Sequence, residues 1–151
     1  MQNHFVVVSW LARGIDTASH IAALKNGGKT IAVIGTCLDV NYPRENAQLQ
    51  NYIATNQLLL TEYGPGQTPL KYHFPERNRI IAGLSRGVLV TEAKSCSGSL
   101  MTCERAMEEG RDVFAIPGNI TDNLSDGCHF LIQEGAKLVY HGRDILMEYD
   151  R

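Results

Sequence analysis

Short aliphatic and β-branched runs recur along the chain, at Phe5 to Val8, Thr30 to Ile34, Leu58 to Thr61, Val88 to Thr91, Val113 to Ile116 and Lys137 to Tyr140. Stretches of helical period separate them, at Thr17 to Lys25, Glu45 to Thr55, Leu100 to Glu109 and Cys128 to Gln133. A strand that is apolar at every position has both faces covered, and helical crossovers join such strands in parallel. The pattern predicts an α/β fold, a doubly wound and mainly parallel sheet, in a single domain over residues 1–151. Met1-Gln2-Asn3-His4 leads at once into a strand, so the sheet either begins there or lacks an earlier βα unit. Gly27-Gly28-Lys29-Thr30 ends like a phosphate-binding loop, but Ala23 stands where that motif needs its first glycine, and the strand follows the motif instead of preceding it. The two glycines read as a helix stop.

Composition narrows the partners. With 151 residues, 44% hydrophobic and 20% charged, the chain can bury its own core. A net charge of −2 argues against coating a duplex by bulk electrostatics, so any nucleic-acid contact must be local. Cys37, Cys96, Cys103 and Cys128 form no CxxC pair and suggest neither a zinc knuckle nor a disulfide framework. No metal or other cofactor is expected, and reduced thiols fit a cytoplasmic protein. The apolar runs are strand-sized, short of the roughly 20 residues of a membrane span, so no membrane partner is expected.

Ligands of an open α/β sheet lie outside the carboxyl ends of its strands, which sorts the basic residues. Arg13, Arg44, Lys71, Arg77, Arg79 and Lys94 fall on that side, whereas Lys29, Arg86, Arg111 and Lys137 precede strands, where a structural role is expected. Asp16, Asp39, Glu45, Glu62, Glu76 and Glu92 share the favoured rim, so a pocket there is specific rather than merely positive. Asp16 and Glu45 stand at expected helix starts, where capping and the helix dipole favour a carboxylate. The strand of Val88 to Thr91 runs through the Ser97-Gly98-Ser99 turn into a helix, an arrangement that aims backbone N–H groups at an anion. Gly35-Thr36 offers a second backbone approach. Arg77-Asn78-Arg79, preceded by Tyr72-His73-Phe74-Pro75, places guanidinium donors, an amide and aromatic rings in one connection. Guanidinium groups bind phosphate bidentately and a ring can stack on an unpaired base, although Phe74 is rather expected in the core and Arg79 can pair with Glu76 or Glu92.

Signals for catalysis are sparse. There is no GxSxG elbow or HExxH pair, and His20, four residues after Asp16, is expected to form a surface pair with it. Glu62 and Glu92, each following a strand, support the alternative of a nucleotide-handling enzyme with one carboxylate as general base and the other on a ribose. The segment Gly127 to Gln133 is apolar around nearly the whole helix, which predicts a face left for self-association.

Several motifs together resemble the DNA processing protein A (DprA/Smf) family from Val8 to about Val139. They are Leu11-Ala12-Arg13-Gly14-Ile15-Asp16, Ile31-Ala32-Val33-Ile34-Gly35-Thr36, Tyr42-Pro43, Phe74-Pro75-Glu76-Arg77-Asn78-Arg79-Ile80-Ile81, Ser97-Gly98-Ser99-Leu100, Val113-Phe114-Ala115-Ile116-Pro117-Gly118-Asn119 and Gly127-Cys128-His129. The resemblance implies a Rossmann-like core without enzymatic activity that binds single-stranded DNA during natural transformation, shields it and loads the RecA recombinase. It carries DNA binding onto Arg13, Gly14, Gly35, Thr36, Arg44, Asn78, Arg79, Ser97, Gly98 and Ser99, homodimer formation onto His129 and Ile132, and the RecA-facing surface onto Met107, Asp112 and Gln133. The family's preceding strand and its Gly-Ser-Arg turn have no counterpart in this chain, so the implied core lacks its first βα unit, and Trp10 stands where the family usually has Gly. The enzymatic alternative resembles the lysine decarboxylase-like phosphoribohydrolases, whose Pro-Gly-Gly-x-Gly-Thr turn is not matched by Ser97-Gly98-Ser99.

Overall fold

Parallel pairing runs through both halves of the chain, as the alternation of apolar runs and helical stretches requires. The computed structural model describes residues 4–150; residues 1–3 and 151, which belong to the expected domain of 1–151, lie outside the described residues. The chain divides into two compact units, residues 1–81 and 82–151.

In the first unit β1 (Val6–Ser9), α1 (Ile15–Lys25), β2 (Lys29–Val33), a 3-10 turn (Arg44–Asn46), α2 (Ala47–Asn56) and β3 (Leu58–Leu60) follow one another, and α3 (His73–Leu84) carries the chain onward. The strands lie in the order β1-β2-β3, all parallel, with Val8 opposite Ile31 and Ile31 opposite Leu58. Leu11, Ala32, Ile34 and Ile53 form its core, flanked by Leu49 and Leu59. The helix stop read from Gly27-Gly28 is present: α1 ends at Lys25, Gly27 has a φ of 69°, and the Gly28 amide returns to the Ala23 carbonyl at 2.8 Å.

In the second unit β4 (Gly87–Val90), α4 (Gly98–Glu108), β5 (Asp112–Ala115), α5 (Asp126–Gln133), β6 (Lys137–Leu138) and α6 (Gly142–Tyr149) repeat the scheme, with parallel order β4-β5-β6. Val90, Cys103, Ala106, Ala115 and Leu131 are among its core residues. The basic residues assigned to the amino ends of strands have structural partners here. The Arg86 guanidinium lies 4.4 Å from the Tyr149 ring centre, Arg111 donates to the Gly83 carbonyl, and Lys137 reaches Glu148 and the Asp144 carbonyl.

Two helices depart from the pattern read from sequence. Residues 73–79, expected in a connection, open α3 instead. Pro75 is its third residue, in the first turn, where no intrahelical N–H is required. α6 has its own start signal: Asp144 accepts from the backbone N–H groups of Tyr140 and His141, both at 2.8 Å, and those bonds hold its carboxyl below the usual range.

Candidate functional site

Loops at the carboxyl ends of β1, β2 and β3 are pinned by the buried Asn46 and Gln50 and the half-buried Thr61. Asn46 donates to the Leu11 carbonyl and to Thr17 Oγ1, both at 2.8 Å, tying the 3-10 turn to the segment after β1. Gln50 donates to the Val40 carbonyl at 3.0 Å, and Thr61 to the Thr36 carbonyl at 2.6 Å. Each bond is worth about 1 kcal/mol net, but losing one inside the protein leaves a bare polar group and costs about 1–3 kcal/mol. The rim is therefore built from short loops with little freedom.

His20 fixes the backbone of the first loop. It is fully buried, with Nε2 at 2.5 Å from the Trp10 carbonyl and Nδ1 at 2.5 Å from Thr30 Oγ1, so the surface pair with Asp16 expected from spacing is not formed. A carbonyl only accepts, so Nε2 carries the proton. Burial lowers the ring's pKa against the opposing pull of the Trp10 carbonyl and Asp16, and favours the neutral form. Asp16 accepts from Ser9 Oγ at 2.6 Å, and its carboxyl is pushed up by burial.

Beside this loop lies a cavity of about 210 Å³ walled mainly by Trp10, Ile34, Tyr42, Pro43, Phe74 and Arg77. It is smaller than the roughly 300–1,000 Å³ of drug-sized pockets. Gly35 lets Phe74 close one wall, since a Cβ at that position would stand 3.0 Å from Phe74 Cδ1. Arg77 is 4% exposed. Its guanidinium sits 4.0 Å from the Trp10 ring centre and 5.5 Å from that of Phe74. Nη1 donates to the Val33 carbonyl at 3.4 Å, while Nε and Nη2 have no hydrogen-bond partner among the described residues. Burial draws its pKa down to about 10, with Asp16 opposing, so the group remains a cation at neutral pH. Buried donors without acceptors are rare and expensive, and they commonly mark a site that acts on something else.

The residues singled out from sequence in the first unit divide by exposure. Arg13, Arg44 and Arg79 are exposed. Arg13 pairs with Glu45 and Arg79 with Glu62, rather than with Glu76 or Glu92, and both pairs are open to solvent. The Arg44 side chain has no partner among the described residues. Exposed ion pairs are worth only about 0–1 kcal/mol, so both paired arginines exchange a carboxylate for another anion at small cost. Gly14 is the residue before α1, with its carbonyl accepting from Ala18. Gly35, Thr36 and Asn78 are buried, and the Thr36 hydroxyl is turned to the Val40 carbonyl at 3.3 Å.

In the second unit Ser97 precedes the first residue of α4, with Gly98 exposed and Ser99 half-buried behind it. Ser97 makes no side-chain cap, and its buried Oγ has no partner among the described residues. His129 Nε2 lies against the Gly118 backbone, 3.2 Å from its N and 3.1 Å from its O, and Ile132 packs on the core. Phe130, between them, is 55% exposed. Met107, Asp112 and Gln133 are exposed, and the first two border a cavity of about 260 Å³ with Lys137 and Glu148. Among the described residues no group of three or more His, Cys, Asp or Glu could hold a metal ion, and no helix is long and apolar enough to cross a membrane.

Sequence reasoning did not select Arg77 and Trp10 as a pair. The available signal was the Phe74 to Arg77 spacing of one helical turn, which means little until residues 73–84 are seen to be a helix.

Parallel strands joined by helical crossovers place the chain in the Rossmann-like class of α/β folds. The chain belongs to the family described as DNA recombination-mediator protein A, which matches residues 1–150. It is 71% identical over 150 residues to DNA processing protein DprA of Streptococcus pneumoniae, covering 99% of this chain and 53% of that protein. It is 49% identical over 144 residues to DprA of Bacillus subtilis, covering 95% and 48%, and 48% identical over 141 residues to protein Smf of Escherichia coli, covering 93% and 38%. The chain thus spans about half or less of the length of these relatives. The crystal structure of the S. pneumoniae protein superposes with a TM-score of 0.94 at 73% identity, over 97% of this chain and 52% of that one. DNA processing protein A from Helicobacter pylori, whose structure concerns a single-stranded DNA binding mode, superposes at 0.82 with 32% identity, over 95% and 65%. The Rossmann-like α/β fold expected from the sequence is the one observed.

Proposed function

We propose that this chain binds single-stranded DNA at the carboxyl-end rim of β1–β3, shields it during natural transformation and passes it to the RecA recombinase in the cytoplasm. The observation that carries the reading is the trio of exposed arginines, Arg13, Arg44 and Arg79, held by nothing stronger than a solvent-open carboxylate. Each is available to a phosphate oxygen, and Gly14 and Gly35 keep side chains away from the same loops. In the second unit the Ser97-Gly98-Ser99 start of α4 provides a phosphate contact of its own through backbone N–H groups and the Ser97 hydroxyl. Membership of a recombination-mediator family supports hand-over to RecA, for which exposed Met107, Asp112 and Gln133 form the docking surface. The α5 face of His129 and Ile132, extended by Phe130, pairs two copies.

The test is titration of labelled single-stranded oligonucleotides of several sequences by fluorescence anisotropy. Arg44→Ala and Arg79→Ala each weaken binding about tenfold or more, an interaction with a charged group being worth about 1.5–3 kcal/mol. The factor is similar for every sequence, because phosphates carry no sequence information. A loss confined to one sequence contradicts phosphate ligation.

A further inference from the structure

We propose that the cavity beside Trp10 and Arg77 takes one unpaired base of the bound strand, that Arg77 Nε and Nη2 read a pair of adjacent acceptors on its edge, and that Trp10 is the cap that moves to admit it. This rests on the single-stranded DNA reading above and adds base preference to it.

Three observations meet here. The guanidinium carries two buried donors without acceptors among the described residues. These nitrogens are out of contact with solvent, and the guanidinium carbon lies 4.0 Å from the centre of the Trp10 ring, which walls the same cavity, so a shift of Trp10 opens the way to them. The adjoining space of about 210 Å³ is walled by Trp10, Tyr42, Pro43 and Phe74, a lining suited to a flat ring. A phosphate entering there must leave its full charge's hydration behind against apolar walls, whereas a neutral base edge does so at lower cost.

The donor pattern then selects among bases. Nε and Nη2 of a guanidinium form a fork that needs two neighbouring acceptors. Guanine presents N7 beside O6, and unpaired cytosine presents N3 beside O2. Adenine sets its N6 amino group beside N1 and N7, and thymine sets N3–H between O2 and O4, so on these edges the fork meets a hydrogen instead of a second lone pair. The cavity therefore prefers guanine and cytosine.

Trp10 is the single tryptophan of the chain, so its emission reports the cap without labelling. The experiment compares oligo(dC) with oligo(dT) of equal length, following anisotropy and Trp10 emission on the intact protein. The expected result is tighter binding of oligo(dC) by roughly 5- to 150-fold, the range of one bidentate pair, with a change in Trp10 emission that oligo(dT) does not produce. Arg77→Lys, which keeps the charge and loses the fork, brings the two affinities together. Equal affinities with unchanged emission in the unsubstituted protein overturn the proposal and leave phosphate binding standing. Failure of every oligonucleotide to bind overturns the DNA-binding reading and this proposal with it.

Discussion

His20 shows how one side chain can set a loop. Its Nε2 proton holds the Trp10 carbonyl, and the Thr30 hydroxyl stands between Nδ1 and the Val7 carbonyl, with one proton for the two. Because burial lowers the ring's pKa, the unfolded chain takes up a proton before the folded one as pH falls below about 6.5. Stability is then full above that pH and declines towards the folded value. Asp16 acts with the opposite sign nearer 3.8, since its raised pKa lets the folded state take the proton first. Urea denaturation at pH 7.5 and pH 5.5 should show the lower stability at pH 5.5, and His20→Gln should flatten that difference while weakening the protein at both. An unchanged slope in the variant contradicts this role. The four-residue step from Asp16 showed that both residues share a face of α1, yet spacing alone does not tell which face is covered. The partners that decide it, Trp10 and Thr30, come from distant segments.

At the scale of elements, parallel strands were readable because each apolar run is short, rich in aliphatic or β-branched residues and bounded by turns, and only their ends move by a residue or two. α3 was not readable, since its first turn is His73-Phe74-Pro75-Glu76 and proline there resembles a breaker until its position in the helix is known. Consequently Arg77 and Arg79 were placed on a connection rather than on a helix, where one becomes buried and the other exposed. The glycine of Gly127-Cys128-His129 has a packing reason that no single sequence reveals. A Cβ at Gly127 would lie 2.9 Å from Ala93 Cβ and from the carbonyl oxygens of Ala93 and Lys94, all on the segment after β4. Backbone cannot swing aside as a side-chain tip does, so Gly127→Ala should lower unfolding free energy by about 1–3 kcal/mol, as overpacking does. Thermal denaturation with no loss would show that α5 can shift to accommodate the methyl group.

Across the whole molecule, net charge is −2 and the rim's acids answer its bases, so long-range attraction contributes little and binding energy has to arise at individual contacts. The glycine turns and arginine positions of that rim were visible in the sequence. The buried pins and the Trp10 stack on Arg77 were not, because they depend on which side chains face inward. Three phosphate contacts set how steeply binding depends on salt. For single strands log K falls with log salt at about −0.7 per phosphate neutralised, so Arg13, Arg44 and Arg79 together give a slope of about −2. The most direct measurement is oligonucleotide affinity across a salt series for the intact protein and for the three arginine-to-alanine variants. The slope should be near −2 and shrink by about 0.7 with each substitution; a slope near zero, or one unaltered by the substitutions, would contradict phosphate ligation at this rim.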